Sequence, residues 1–413
     1  VPKNAGLIFI PKLLDDFFIK KAKAIYTVDY SRLVKFHRLL TQLLQEKIPL
    51  EKQSVLVLGA GKIGSLITCL LSDCGDYDVY LGNLNLEAAD TLVKTLKLDN
   101  VTTLAVDAQN EKQLLQALAD SGAQAIVSSL PFYCNPLVAD IAARQGVHYF
   151  DLTEDVAVTE HVKKVSQNMP NVFMPQCGLA PGFISIAAHA VMENFEEIHS
   201  VKMRVGALPV NPNNALKYSL TWSTDGLINE YGNLCYGIKD SELTTLMPLE
   251  GYETITLDGV LYEAFNTSGG LGTLADTYAG KVQDMNYKTM RYPGHCKQIK
   301  LLMEDLKLNQ DRDTLKRILE NAIPKTLQDV VLIYVAVNGL KQGDFFEENY
   351  VKKVYPATIN NKLWSSIQVT TATGVCSVFD IIMQDINAYH GFVTQESIEL
   401  DSVISNRFGK YYA

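Results

Sequence analysis

With 413 residues, 47% of them hydrophobic, the chain exceeds what one ordinary core holds and has the material for two. A formal net charge of -9, a pI near 5.4 and the lack of any dense Lys/Arg block exclude a phosphate-tracking surface, so nucleic acid is not an expected partner. The seven cysteines (Cys69, Cys74, Cys134, Cys177, Cys235, Cys296, Cys376) are odd in number, scattered and without a CxxC, which argues against a disulfide framework and a zinc knuckle. No metal is expected, and a reducing cytoplasm fits best. No apolar run reads as long enough to cross a bilayer, and the opening VPKNAGLIFIPKLL lacks the small-residue cleavage site of a secretory signal, so a soluble protein with no membrane partner is expected.

In chain order, residues 13–47 carry apolar positions at helical spacing, among them Leu33, Phe36, Leu39, Leu40, Leu43 and Leu44. They predict two amphipathic helices that pack on the next domain or on a second subunit. Strand-like runs then alternate with helical ones. SVLVLG, DVYLG, VTTLAVD, QAIVSSL, VHYFD and NVFMP read as strands, with LITCLLSDCG, LEAADTLVKTLK, EKQLLQALADSG and PLVADIAARQG as the helices between them. That rhythm predicts a Rossmann-type, doubly wound parallel sheet of the α/β class. It changes after GLAPG at 178–182. A helix at 184–195 is followed by long alternating strands, HSVKMRVGAL and DVVLIYVAVNG, the second with an Asn338-Gly339 turn into a return strand. A second, mixed α+β domain dominated by an antiparallel sheet is expected there. Near the end, TTATGVCSVFDIIMQDINAYHG reads as a helix of about five turns.

The stretch VLVLGAGKIGSLI places Gly59, Gly61 and Gly64 in the G-x-G-x-x-G pattern between a strand and a helix. The first glycine permits the turn, the second lets the backbone approach a pyrophosphate, and the third allows close helix–strand packing, with the helix N-terminus facing the anion. Lys62 and Ile63 in the loop, Asp107 after the third strand, Ser129 and Leu130 after the fourth, and Cys177 are the further expected cofactor contacts. The ribose-binding acid expected about twenty residues on is absent, and the position falls on Gly82 or Asn83. Asn83 does not repel a 2′-phosphate, and no Lys or Arg lies nearby to attract one. The cofactor is therefore NAD or NADP, with a slight lean to NAD.

The segments CGLAPGFISI, VGALPVNPNNALKYSLTWSTDGLINEY, YEAFNTSGGLGTL and YKTMRYPGHCKQIKLL resemble, in this order, stretches of the saccharopine dehydrogenase-like family. The nearest likeness is to bacterial lysine 6-dehydrogenases, with the glutamate-forming saccharopine reductases next. The resemblance runs from about Ser54 to the C-terminus. It implies a discontinuous layout, in which an extension at 1–52 precedes a dinucleotide-binding domain at 53–182, completed by 371–413, with a substrate-binding and dimerisation domain at 183–370. It also implies NAD(P)-dependent oxidation at an amine-bearing carbon of a lysine-type amino acid. Saccharopine reductases tend to carry an arginine in the stretch matching STDG. This chain has Asp225, which disfavours a dicarboxylate arm and favours an ammonium.

Oxidising an amine needs the neutral amine, a hydride acceptor and groups that handle protons. Asp151 ends the strand VHYFD at the ligand-binding edge of the sheet, where it serves either as a catalytic group or as a helix N-cap. Tyr133 has a similar location, as a second catalytic candidate or an aromatic anchor. In TMRYPGHC, Arg291 offers a planar fork for an α-carboxylate and His295 an imidazole for proton transfer, against an ion pair and a buried structural histidine. Ser268 in the SGG turn is a further substrate candidate, and Trp222, Ser223 and Asp225 join through the resemblance. His148 and His161 read as structural. The leading function is lysine 6-dehydrogenase-like oxidative deamination to the semialdehyde. The alternatives are a saccharopine reductase and, from another class, a non-catalytic NAD(P)-binding protein. The partners expected are an amino-acid substrate and a second copy of the chain in a homodimer.

Overall fold

The computed structural model describes residues 52–413. The two helices expected at 13–47 lie outside the described residues. The first sheet is built from β1 (Gln53–Leu58), β2 (Tyr77–Asn83), β3 (Val101–Ala105), β4 (Ala125–Ser128), β5 (His148–Asp151) and β6 (Val172–Met174), with the two-residue strand Gly391–Phe392 added at the far edge. Its order is Gly391–Phe392, β6, β5, β4, β1, β2, β3, with all pairs parallel. The winding reverses between β1 and β4, which opens a crevice at their carboxyl ends.

Helices cover both faces. α1 (Lys62–Asp73) follows β1, α2 (Leu86–Leu96) follows β2, α3 (Glu111–Ser121) follows β3, α4 (Asn135–Gln145) follows β4, and α5 (Val156–Val165) follows β5. Their ends are specified locally. Asn85, Asn110 and Asp155 accept from backbone N–H groups at the N-termini of α2, α3 and α5, and Gly122 and Gly146 end α3 and α4 in the left-handed region.

After α6 (Phe183–Met192) the second sheet takes over. It comprises β7 (Glu197–Pro209), β8 (Cys235–Lys239), β9 (Glu242–Leu246), β10 (Glu253–Leu257), β11 (Val260–Asn266), β12 (Val282–Arg291), β13 (Asp329–Lys341) and β14 (Asp344–Val354). The main path is β10, β11, β12, β7, β13, β14, antiparallel except for β12 beside β7, with β8 and β9 attached to β12. α7 (Thr224–Gly232), α8 (His295–Lys300) and α9 (Arg312–Ala322) flank the site end of this sheet. The fold class expected from the sequence is therefore present.

One turn is corrected. β13 runs straight through Asn338 and Gly339, where the register against β7 shifts in a bulge. A Cβ on Gly339 would lie 2.0 Å from the Glu197 carbonyl oxygen, so this glycine serves a close backbone approach. The hairpin turns instead at Gln342 and Gly343, both at positive φ (55° and 83°), as a two-residue hairpin loop requires.

A second correction concerns α10 (Ser366–Gln384), which is long and apolar enough by length and composition to cross a membrane, although the sequence reading found no such run. Thr370, Thr373 and Ser377 interrupt the apolar pattern, but each hydroxyl donates back to its own helix, to Ser366 O, Val369 O and Thr373 O. In the fold 78% of its most apolar window is buried, and it packs along α1. A capping box formed by Ser365 and Gln368 starts it four residues before Thr370, where the stretch read as a helix begins. Phe379 on this helix meets Phe150 edge-on at 5.1 Å and Tyr77 at 5.2 Å, and its truncation to alanine would cost about 3–5 kcal/mol. The buried Asp380 beside it accepts from Tyr77 Oη at 2.8 Å and from Arg407 Nη2 at 2.5 Å, so its charge is compensated.

Candidate active site

The glycine loop has the properties that a dinucleotide needs. Gly59 stands at φ +100°, and its N–H donates to Gly82 O at 2.8 Å. A Cβ on Gly64 would lie 1.9 Å from Gly59 O, so this position must be glycine for the fold itself. Gly61 differs. It caps α1, and an added Cβ would meet nothing within 4 Å. The protein alone does not require glycine there, whereas a pyrophosphate resting on the loop would. α1 has no acidic residue in its first turn and no side-chain cap, which leaves its N–H groups for an anion. The residues present therefore fit the cofactor.

Ser129 Oγ donates to Leu58 O (2.9 Å) and Gly59 O (3.2 Å), and thus holds the loop. Asn83 ends β2 as expected, but its Oδ1 accepts from Ala60 N at 3.1 Å and its Nδ2 donates to Asn85 O at 2.8 Å, so it too supports the loop. Asp107 closes an Asx turn by accepting from Gln109 N. Lys62 Nζ reaches across to Leu220 O at 3.3 Å, and burial pulls its pKa down. Cys177 is buried with its thiol donating to Met174 O, and burial raises its pKa.

A cavity lies between the carboxyl ends of β4 to β6 and the inner face of the second sheet. Ile63, Ser129 and Leu130 line it from the cofactor side. From the other side come Arg291, Thr289 and Tyr287, which alternate along β12 and so share one face, together with Trp222, Ser223, Asp225 and Glu230 at and just before α7.

Arg291 is 3% exposed and held on three sides. Its Nε donates to Tyr231 Oη at 2.9 Å, and its Nη1 to Thr289 Oγ1 at 2.5 Å and Met290 O at 2.9 Å. The guanidinium also lies 5.0 Å from the Tyr218 ring centroid. Nη2 makes no hydrogen bond among the described residues, and Glu230 Oε2 faces it at 3.7 Å. Two N–H donors of a fixed cation are thus left to the cavity.

His295 stands behind this arrangement and does not line the cavity. Tyr231 Oη donates to its Nε2 (2.9 Å), and its Nδ1 donates to Leu216 O (2.8 Å), a tautomer assigned from these partners. Burial, and then the Arg291 charge, push its pKa down to about 3. With both ring nitrogens engaged, no place on the cavity wall and surroundings that disfavour the imidazolium, His295 is not placed for the proton transfer expected of it.

Two further catalytic expectations are corrected. Asp151 is 0% exposed and accepts from Tyr149 Oη (2.6 Å), Thr153 N (2.9 Å) and Gln176 N (3.0 Å), tying together the chain exits of β5 and β6. The N-cap of α5 is Asp155. Tyr133 is 56% exposed, while its neighbour Phe132 forms the cavity wall. Among the substrate candidates, Trp222 lines the cavity and donates to Tyr218 Oη, and Ser223 caps α7. Ser268 lies outside the cavity, where its Oγ donates to Asn229 O and supports α7. Asp225 faces the cavity but is bonded to Lys316 Nζ at 2.7 Å.

Two carboxyl groups that no sequence motif marked, Glu154 and Glu230, also line the cavity. Burial pushes Glu154 up to about 7, and Asp155 and Asp151 add to the rise. Burial also raises Glu230, with Arg291 pulling down and Glu154 pushing up. Glu154 lies three residues beyond the candidate Asp151 in the run DLTED, and Glu230 lies five residues beyond the candidate Asp225, within the GLINEY stretch.

Residues 55–172 match the family model described as saccharopine dehydrogenase NADP-binding domain, and residues 178–409 the one described as saccharopine dehydrogenase C-terminal domain. The chain is 25% identical over 156 residues to a carboxyaminopropylagmatine dehydrogenase of Synechocystis sp., covering 35% of this chain and 39% of that protein. It is 22% identical over 285 residues to a saccharopine dehydrogenase (NADP(+), L-glutamate-forming) of Pyricularia oryzae, covering 66% of this chain and 61% of that protein. The matches thus span about two fifths and three fifths of the lengths of these relatives. Apo saccharopine dehydrogenase (L-Glu forming) of Saccharomyces cerevisiae shares the fold, with a TM-score of 0.69, 17% identity, and coverage of 85% of this chain and 96% of that one. With both halves of the described chain matched and the cofactor cradle and cavity in place, the chain belongs to the saccharopine dehydrogenase family.

Proposed function

We propose that the chain is an NAD(P)-dependent dehydrogenase that oxidises the amine-bearing carbon of a lysine-type amino acid, converting lysine and water to the semialdehyde and ammonia. The observation that carries this reading is the open side of Arg291. A buried guanidinium, fixed by Tyr231, Thr289 and Met290, keeps Nη2 without a hydrogen bond among the described residues, opposite Glu230 Oε2 at 3.7 Å, on the wall of a cavity that also borders the glycine loop. Such a group binds an α-carboxylate strongly and cannot be neutralised. When bound, the nicotinamide supplies the hydride acceptor. Arg291 orients the substrate by its carboxylate, Glu230 balances the buried guanidinium, and Trp222 and Tyr287 give the chamber apolar walls that exclude water.

The wall chemistry supports the lysine type. Glu154, Glu230 and Asp225 on the cavity wall offer oxygen acceptors to a substrate ammonium. A second reading, the glutamate-forming saccharopine type, draws on one observation. Lys316, bonded to the cavity-lining Asp225, supplies a cation behind that wall to which a second carboxylate could be drawn. For the cofactor, the uncharged Asn83 supports use of both NAD and NADP with a slight preference for NAD. The deciding experiment measures reduction of both cofactors with lysine, ornithine and saccharopine. Turnover of lysine well above saccharopine is the expected result, and the reverse order would replace the first reading by the second.

A further inference from the structure

An amine is oxidised only in its neutral form, so a substrate ammonium must lose a proton inside a chamber whose mouth is filled once substrate and cofactor are bound. Glu154 stands on the wall of that chamber and, at the same time, on the wall of a second, outward-facing groove. Asp155, Asn229, Asn233 and Tyr236 also border the groove. Among the described residues bordering the two spaces, no other is shared between them.

The backbone around Glu154 is shaped for this position. A Cβ on Gly269 would lie 2.5 Å from Glu154 O, and one on Gly226 would lie 3.0 Å from Glu154 Oε1. Asn229 lies beside it, with its Oδ1 accepting from Arg312 at the rim, and its side chain tempers the rise of Glu154. The charged and titratable groups facing Glu154 are Asp151 and Asp155 from its own strand and loop, and Glu230 from α7, itself paired with Arg291 from β12.

We propose that Glu154 is the catalytic acid–base group of this site, and that the groove behind it is the route by which protons pass between the chamber and solvent. The proposal rests on the amine-dehydrogenase reading above. The Glu154 carboxylate takes one proton from the substrate ammonium, giving the neutral amine and a carboxylic acid. That acid then releases its proton to water in the groove and becomes a carboxylate again. A carboxyl group lifted to about 7 by burial divides its time between both forms near neutral pH, as such a relay requires.

The test uses the full chain with lysine and saccharopine as probes. In the wild type, kcat/KM should rise with pH through a limb near 7. Glu154→Gln should lower kcat by about a hundredfold and abolish that limb, with NAD and NADP affinity unchanged by fluorescence titration. If this variant does not bind cofactor, Glu154→Asp decides, with a reduced kcat and a displaced limb expected and an unchanged profile overturning the proposal. Formate should restore activity to Glu154→Ala in proportion to its concentration. Adding Ala157→Trp, which narrows the groove, should suppress the restoration, and full restoration in that double variant overturns the assigned route. Wild-type protein that turns over neither amine rejects the functional reading itself. Wild-type turnover with the limb retained in Glu154→Gln rejects only the role of Glu154.

Discussion

The two sides of the cavity are built from different materials. The cofactor side is backbone: a glycine turn, the free N–H groups of α1 and the strand ends that hold them. The facing side, proposed above for the substrate, is side chain: Arg291, Tyr231, His295 and Glu230 in one buried relay, drawn from α7, β12 and α8. A backbone site tolerates change wherever no Cβ intrudes. A buried polar relay tolerates little, because each member satisfies another.

Two glycines test the first half of this contrast most strongly. Gly64→Ala drives a Cβ against Gly59 O and should abolish measurable cofactor binding together with a large loss of thermal stability. Gly61→Val should leave the melting temperature near that of the wild type, since the space around Gly61 is open, yet weaken cofactor binding tenfold or more. A fall in stability without a fall in affinity for Gly61→Val would move the requirement from ligand to fold.

On the substrate side, Arg291→Lys keeps the charge but loses the fork held by Tyr231 and Thr289. Catalytic efficiency on the amino-acid substrate should drop at least tenfold, about 1.4 kcal/mol, with cofactor affinity unchanged. Steady-state kinetics alongside a thermal midpoint check this. A lowered midpoint with normal efficiency would make Arg291 purely structural.

His295 gives the next effect. Its folded pKa lies below its unfolded value, so the unfolded chain binds more protons between about pH 6.5 and 3. The contribution of this residue is therefore complete above pH 6.5 and lost as pH falls, by about 1.4 kcal/mol per unit. Urea unfolding at pH 7.5 and pH 5 should show the wild type losing ground against His295→Gln. Parallel losses in both proteins would show that the imidazole is not held neutral. The smallest effect is expected for Asn83→Asp, which keeps the acceptor for Ala60 N and adds a charge. Discrimination should move several-fold toward NAD in a comparison of kcat/KM values.

The same contrast explains what the sequence made legible. Strand–helix alternation and the glycine spacing are local patterns, and both sheets and the cofactor loop could be read from them. The rest depends on the third dimension. Asp151 was singled out because it ends a strand, but the chain bends past that edge, buries Asp151 and brings Glu154 to the cavity. His295 and Arg291 lie four residues apart, and nothing in that spacing shows that Tyr231 joins them. The Asn338-Gly339 pair carried a hairpin signature, but pairing with β7 on one side and β14 on the other carried β13 through it. Alternation along β12 placed Tyr287, Thr289 and Arg291 together, a period-two signal that was available and unused.

The late position of α10 bears on how the protein is made. This helix covers α1 and brings Gly374 against the turn at Cys177 and Gly178, yet it is synthesised some 300 residues after the strand that precedes α1. On the ribosome the nascent cofactor half has its apolar flank uncovered until the last stretch emerges, which should make the growing chain a client for chaperones and slow its folding. A fragment that stops before residue 366 should collect in aggregates and be cleared by proteases.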